Sequence, residues 1–441
     1  MDCRSNKEID IKPLLEMPAA QKTLEASQTQ IVASDLYKEL SGFNAFGTTT
    51  RILETRYSLG DLGLDSSIPT FVNEFWTARQ RAAHSLHEIS YRACFKPQLP
   101  RFFIQRLTRP GAVVYDPFMG RGTTLLEAAL LGRVPIGCDI SPLSRHLVAA
   151  RLNPCKLEEV AKRLQSIDFT WSAEIPMDLL VFYHPETLRQ IMALRHALKV
   201  KFDSGTDDLI DQWIAMVALN RLTGHSPGFF SVYTLPPNQA VSIKSQIKIN
   251  ADRNQTPPER SVSDIILKKS RALLKDLDES TRTTLSSVFS RSRLLTSDCS
   301  RTPALKSGSV DLVVTSPPFL SVVDYAGDNW LRCWFMGIDP SSVAITMARK
   351  VEDWEEVMTR VMKELRRVLK RGGHVAFEVG EILKGSVRLE ESVLKCGADA
   401  GLKPLLVLIN DQEFTKTANC WGVDNQTKGT NTNRVVLFQK V

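Results

Sequence analysis

The stretch GAVVYDPFMGRGTTLLEAALLGRVPIGCDI, Gly111 to Ile140, decides the fold. Val113, Val114 and Tyr115 are β-formers in a short apolar run, which reads as a buried parallel strand. A glycine-bearing turn follows. Thr123 to Leu131 has a helix pattern, ended by Gly132. VPIGCDI is a second short apolar strand that ends in an acid, so the stretch is a βαβ unit. At its turn stand Asp116, Phe118, Gly120, Gly122, Thr123 and Thr124. Glycines here let a ligand approach the backbone, and the helix N-terminus offers free N–H groups. Asp139, at the end of the second strand and followed by Ile140, can accept hydrogen bonds from a ribose diol. A nicotinamide-dinucleotide turn would need glycine at 125, where the chain has Leu125, and Asp116 would repel a pyrophosphate. An acid at that point suits a cationic, non-phosphate ligand such as S-adenosylmethionine (SAM).

Outward from this unit, the character of the 441 residues changes, and the α/β rhythm resumes at Arg293. Residues 1–70 carry weak helical patterns. Phe71, Phe75, Trp76 and Ala83 have helical spacing and predict an amphipathic helix over 71–87. The prolines of 93–100 break it, and PRFFIQRL follows as a short helix. From 152 to about 290 four helical stretches predominate, interrupted by a polar, proline-bearing segment (224–260) that reads as a long irregular loop. Strands are expected at SRLLTSD, VDLVVTSPPF, HVAFEVG, LLVLIN and RVVLFQK. An amphipathic helix is expected over Asp353–Lys370, stopped by Gly372 and Gly373.

Hydrophobic residues make up 43% and charged residues 24%, which excludes a disordered or fibrous chain. No apolar run reaches the roughly 18 residues of a membrane span, and the first residues lack a secretory pattern, so no membrane association and a cytoplasmic location are expected. Eight scattered cysteines without a C-x-x-C pair argue for reduced thiols, and neither they nor the histidines have metal-ligand spacing, so no metal is expected. The net charge of +7 permits an anionic partner.

A second motif, Thr315-Ser316-Pro317-Pro318-Phe319, closes the strand DLVV. Two prolines fix the backbone and remove N–H donors. Carbonyl oxygens, the Ser316 hydroxyl and an aromatic face remain, a set that fits a planar base carrying an exocyclic amine.

The pair D-P-F-x-G-x-G-T-T and T-S-P-P-F resembles the amino-group DNA methyltransferases, which methylate cytosine N4 or adenine N6. The resemblance implies a Rossmann-like, SAM-dependent α/β core with a mainly parallel central sheet and a helical insertion. The S-P-P form looks like the N4-cytosine branch, and adenine N6 on the same scaffold is the alternative. Phe95-Lys96-Pro97 resembles the segment closing over the methionine end of SAM. Asp298 stands where the family places an acid near the adenine. Asp324-Tyr325 and the segments Phe414 to Val423 and Gly429 to Arg434 also resemble family segments. SAM would then be held by Lys96, Pro97, Asp116, Phe118, Gly120, Gly122, Thr123, Thr124, Asp139, Ile140 and Asp298, and the base by Ser316, Pro317, Pro318 and Phe319. The implied organisation is an N-terminal extension (1–70), a first core part (71–151), an insertion taken as the target-recognition region (152–290) and a second core part (291–441). The implied partner is double-stranded DNA, and a companion restriction endonuclease is compatible with this.

Within the insertion, Phe229, Tyr233, Lys244, Lys248 and Arg253 are the expected DNA contacts, with basic groups meeting phosphates and interspersed amides reading base edges. Pro154-Cys155 lies outside the catalytic turn, so it is read as a chance dipeptide and not as the nucleophile of a C5-cytosine enzyme. An RNA methyltransferase and a non-catalytic DNA-binding protein are the remaining readings. Intact Asp116, Asp139 and the S-P-P-F turn argue against the second.

Overall fold

The computed structural model describes residues 35–59, 64–77, 83–92, 94–171, 174–235, 239–318, 324–343, 348, 350–380, 388–411 and 432–441. Helix α1 (35–41) precedes β1 (Arg51–Leu59) and β2 (Leu64–Asn73). Next come α2 (Gln98–Leu107), β3 (Val113–Asp116), α3 (Thr123–Leu130), β4 (Val134–Asp139) and α4 (Pro142–Leu152). The insertion supplies α5 (Leu157–Gln165), α6 (Pro185–Ser204), α7 (Leu209–Leu219), α8 (Ile243–Asp252), α9 (Val262–Leu274) and α10 (Glu279–Phe289). The chain then returns through β5 (Arg293–Thr296), β6 (Val310–Thr315), α11 (Tyr325–Met336), α12 (Val351–Val368) and β7 (Leu369–Gly380). It closes with α13 (Leu389–Asp399), β8 (Lys403–Asp411) and β9 (Thr432–Gln439).

The strands form one sheet in the order β1-β2-β8-β9-β7-β6-β3-β4-β5. β7, β6, β3, β4 and β5 run parallel to one another, as do β2 and β8; β1 and β9 are antiparallel to their neighbours. From β3 the chain moves outward to β4 and β5, then crosses back to place β6 on the other side of β3. That reversal opens a crevice beyond the carboxyl ends of β3 and β6, where ligands bind in open α/β sheets.

Alternation along the central strands fills both faces. Tyr115, Ile136, Val313 and Phe377 pack beneath α12 and α13, while Val114, Leu312, Val314 and Ala376 face the opposite layer with α2. The insertion has no core of its own. Trp213, Ile214 and Ile266 share one apolar cluster with Leu125 and Leu126 of α3 and Val134 of β4.

Four expectations are corrected. The helix over 71–87 does not form as expected: Phe71 belongs to β2, paired with β8, and among the described residues of the span only Ser85–His87 makes a short 3-10 turn. Its apolar residues are buried all the same: Phe71 in β2, and Phe75 and Trp76 in the segment after it, all lie within the core. The stretch read as an extension contributes α1 and most of the β1–β2 hairpin, which extends the central sheet. Segment 224–260 contains α8, so it is not irregular throughout. Finally, α12 ends at Val368 and passes straight into β7, so Gly372 and Gly373 lie within a strand. The expected family segment 414–423 lies outside the described residues.

Candidate active site

The crevice holds a cavity of about 430 Å³. Asp116, Phe118, Gly120, Thr123, Asp139, Ile140, Asp298, Ser316 and Pro318 line it, together with Cys94 and Phe95. Residues of α11 (Tyr325, Asn329, Cys333) and α12 (Trp354, Met358, Val361) complete the wall.

The turn after β3 is built by its own carboxylates. Asp116, 2% exposed, accepts hydrogen bonds from the Phe118 N–H (3.0 Å) and the Thr315 hydroxyl (2.6 Å). Asp139 accepts from the Gly120 N–H through one oxygen and the Ser141 N–H through the other, both at 2.8 Å. Gly122, at φ +75°, caps α3 and lets it close on α4: a Cβ there would stand 2.5 Å from the Val148 side chain. Burial pushes the Asp116 carboxyl up to about 7 and raises Asp139 above the ordinary range. Two buried carboxyls facing one cavity favour a cationic ligand with hydrogen-bond donors, because such a ligand offsets the cost of their charge. SAM, a sulfonium with a ribose diol, fits that donor set.

The second motif is held from two directions. Ser316 donates its hydroxyl to Glu378, a carboxyl in β7 that also accepts from the Asn433 side-chain amide at 2.9 Å. Burial raises the Glu378 carboxyl, and these two donors counter the shift in part. The Trp354 indole N–H donates to the Pro318 carbonyl at 3.0 Å. Ser316 and Pro318 of the turn both line the cavity.

Other expected residues are placed differently. Lys96 and Pro97 are not part of the cavity lining; the preceding Cys94 and Phe95 are. Gly122 and Thr124 act behind the wall, with the Thr124 hydroxyl donating to the Val314 carbonyl at 3.0 Å. Pro317 also lies outside the lining, and Phe319 lies outside the described residues. In the insertion, Phe229 is 5% exposed beneath the Arg221 guanidinium, so its ring is unavailable to a base. Tyr233 is covered by Arg253, whose guanidinium lies 3.7 Å from its ring centre. Gln246, Asn250 and Gln255, the amides expected to read base edges, bond one another and the carbonyls of Tyr233 and Val181. Lys244 and Lys248 are exposed.

Burial pushes the Cys155 thiol up to about 12, so it is not a nucleophile at neutral pH. Among the described residues no cluster of His, Cys, Asp and Glu could hold a metal, and no helix is long and apolar enough to cross a membrane.

Residues 55–148, which run from β1 through the turn to α4, match the model of the family described as DNA methylase. This part of the chain is similar to that family. The match also begins within the first 70 residues, which the sequence alone left without an interpretation. Among curated relatives, the chain is 21% identical over 304 residues to the type II methyltransferase M.BsoBI of Geobacillus stearothermophilus, covering 62% of this chain and 57% of that protein. It is 35% identical over 86 residues to the type II methyltransferase M.MjaII of Methanocaldococcus jannaschii, covering 20% of this chain and 16% of that protein. The chain thus spans less than two thirds of the length of each. Solved structures similar to it include a TehB-like SAM-dependent methyltransferase from Corynebacterium glutamicum, at 10% identity and a TM-score of 0.28, covering 78% of this chain and 87% of that one. The family branch, cytosine N4 or adenine N6, is not distinguished by these matches.

Proposed function

We propose that this protein transfers the SAM methyl group to the exocyclic amine of a base flipped out of double-stranded DNA, with cytosine N4 as the acceptor. The observation that carries the reading is the Ser316–Glu378 hydrogen bond at a cavity that Asp116, Asp139 and Asp298 also line. When bound, SAM supplies an electrophilic methyl on sulfur.

An aromatic amine is a poor nucleophile because its lone pair is delocalised into the ring. The Ser316 oxygen, fixed by donating to Glu378, accepts an N–H of that amine and favours a more tetrahedral nitrogen. As the new N–C bond forms and the C–S bond breaks, the amine proton passes to Ser316, which hands its own to Glu378. Ser316 touches the substrate; Glu378 is a positioning residue acting through it. Such proton transfer contributes roughly 10²–10⁴-fold, and orientation and electrostatics supply much of the rest. The unstacking cost of base flipping, a few kcal/mol, is offset by stacking within the pocket.

Serine before the two prolines favours cytosine over adenine. Ser316→Ala and Glu378→Gln should both keep SAM affinity while slowing methyl transfer by about a hundredfold. In the wild type the rate should rise with pH through the raised Glu378 pKa, and Glu378→Gln should flatten that limb. Unchanged turnover in both variants would remove the pair from the reaction.

A further inference from the structure

Helix α8 is mounted on the molecule in an unusual way. Its inward face is mixed: Ile243 and Ile249 pack against the apolar core, while Gln246 is fully buried and donates to the Tyr233 carbonyl at 3.0 Å, and Asn250 donates to the Val181 carbonyl at 2.7 Å. Ser242 caps its N-terminus by accepting from the Ser245 N–H at 3.1 Å. The opposite face carries Lys244, Ile247, Lys248 and Ala251, at i, i+3, i+4 and i+7, so they form one stripe. All four are exposed, and Ile247 is 53% exposed despite being apolar. Asp252 borders the stripe at its last residue, and exposed Arg253 follows it. Beside the helix stands Met177, 70% exposed, in the 3-10 turn Met177–Val181 on which α8 packs.

The stripe is tied to the cavity. The Ala240 N–H donates to the Asp328 carbonyl at 2.9 Å, and the Trp330 indole N–H donates to the Val241 carbonyl at 3.1 Å. Both partners belong to α11, whose Tyr325, Asn329 and Cys333 line the cavity. The chain entering α8 is therefore pinned to the helix that walls the site.

We infer that α8 enters the major groove of the DNA duplex and positions the flipped base at the cavity. This rests on the reaction proposed above. A ten-residue helix is about 15 Å long, and the major groove is about 12 Å wide and admits one. Lys244 and Lys248 meet phosphates, and Ile247 meets the apolar edge of a base such as a thymine methyl. Amides held in an internal clamp cannot read bases, so they serve to keep the stripe rigid. A duplex is the occupant that this combination of two lysines, an arginine and isolated apolar groups complements.

The test uses the full chain and a mixed-sequence 30-base-pair duplex, with binding measured between 50 and 200 mM KCl. Each lost phosphate contact reduces the logarithmic salt slope by about 0.9. The double variant Lys244→Ala, Lys248→Ala should therefore lose close to two units of slope, with SAM affinity and thermal midpoint unchanged. Lys363→Ala, an exposed lysine on α12, should keep the wild-type slope. Ile247→Ala should keep the slope and broaden the sequence context of the sites methylated in genomic DNA. An unchanged slope in the double lysine variant overturns the assignment of α8, whether or not the wild type methylates DNA. A wild type that binds duplex with the α8-dependent slope yet methylates no DNA overturns the reaction and leaves the surface standing.

Discussion

The Thr315 hydroxyl donates to the Asp116 carboxylate at 2.6 Å, joining two motifs 199 residues apart in sequence. Asp116 ends β3 at the cofactor turn, and Thr315 ends β6 one residue before Ser316. One short hydrogen bond thus sets the distance between the place where the methyl donor is expected and the residue expected to receive the amine.

Thr315→Val removes that donor without changing side-chain shape much. A hydrogen bond to a charged group contributes about 1.5–3 kcal/mol, equivalent to roughly a tenfold to hundredfold change. The Asp116 carboxyl should rise further, and SAM affinity at pH 7 should fall by about that factor. Titrations of SAM between pH 6 and 9 check this: the variant should need a higher pH to reach its full affinity.

The carboxyl pKa of Asp116 is raised by burial to about 7, and this fixes the sign of a stability effect. Its folded pKa lies above the unfolded value near 3.9, so the folded state holds the extra proton between about pH 4 and 7. Stability of the ligand-free protein should therefore fall as pH rises through that window. Asp116→Asn should show a smaller fall than the wild type in thermal midpoints compared at pH 5 and 8. A ligand that prefers the ionised carboxylate reverses the demand, so SAM should bind more tightly as pH rises through 7. Calorimetry in buffers of different ionisation enthalpy should then detect proton release on binding.

Trp354→Phe keeps an aromatic ring in the wall and frees the Pro318 carbonyl. Loss of one such bond, about 1–1.5 kcal/mol, should slow methyl transfer by roughly tenfold. SAM affinity should change less than the rate. An equal loss in both would mean that Trp354 contributes as wall and not as an anchor of the turn.

Gly122→Ala combines a left-handed backbone with a steric clash at Val148. The variant should fold with a lower thermal midpoint and lose SAM binding, because α3 and α4 must part to admit the methyl group.

Much of this was legible in the residues. The Gly111–Ile140 stretch gives its strand, turn, helix and strand because short apolar runs bounded by glycine turns have few other solutions. Asp116, Asp139 and Ser316 stand out as polar residues at the ends of such runs. The end of the β1–β2 hairpin did not show, because Phe71 of β2 and the following Phe75 and Trp76 happen to fall at helical spacing. Glu378 carried a signal that was available: an acid within the apolar run HVAFEVG must be paired or neutral when buried. Trp354 carried none, since an apolar helix face looks alike whether it meets core or cavity. The aromatic and amide residues of 224–260 were read as ligands for DNA, and the fold uses them as internal supports. Composition does not say which way a side chain faces.

The most direct test of the account is to incubate duplex DNA with the purified protein and SAM carrying a labelled methyl group, then to digest the DNA to nucleosides for mass spectrometry. The account predicts label in N4-methylcytosine, lost in Ser316→Ala. Label in N6-methyladenine would contradict the reading of the serine, and no label in DNA from a protein that still binds SAM would contradict the proposed reaction itself.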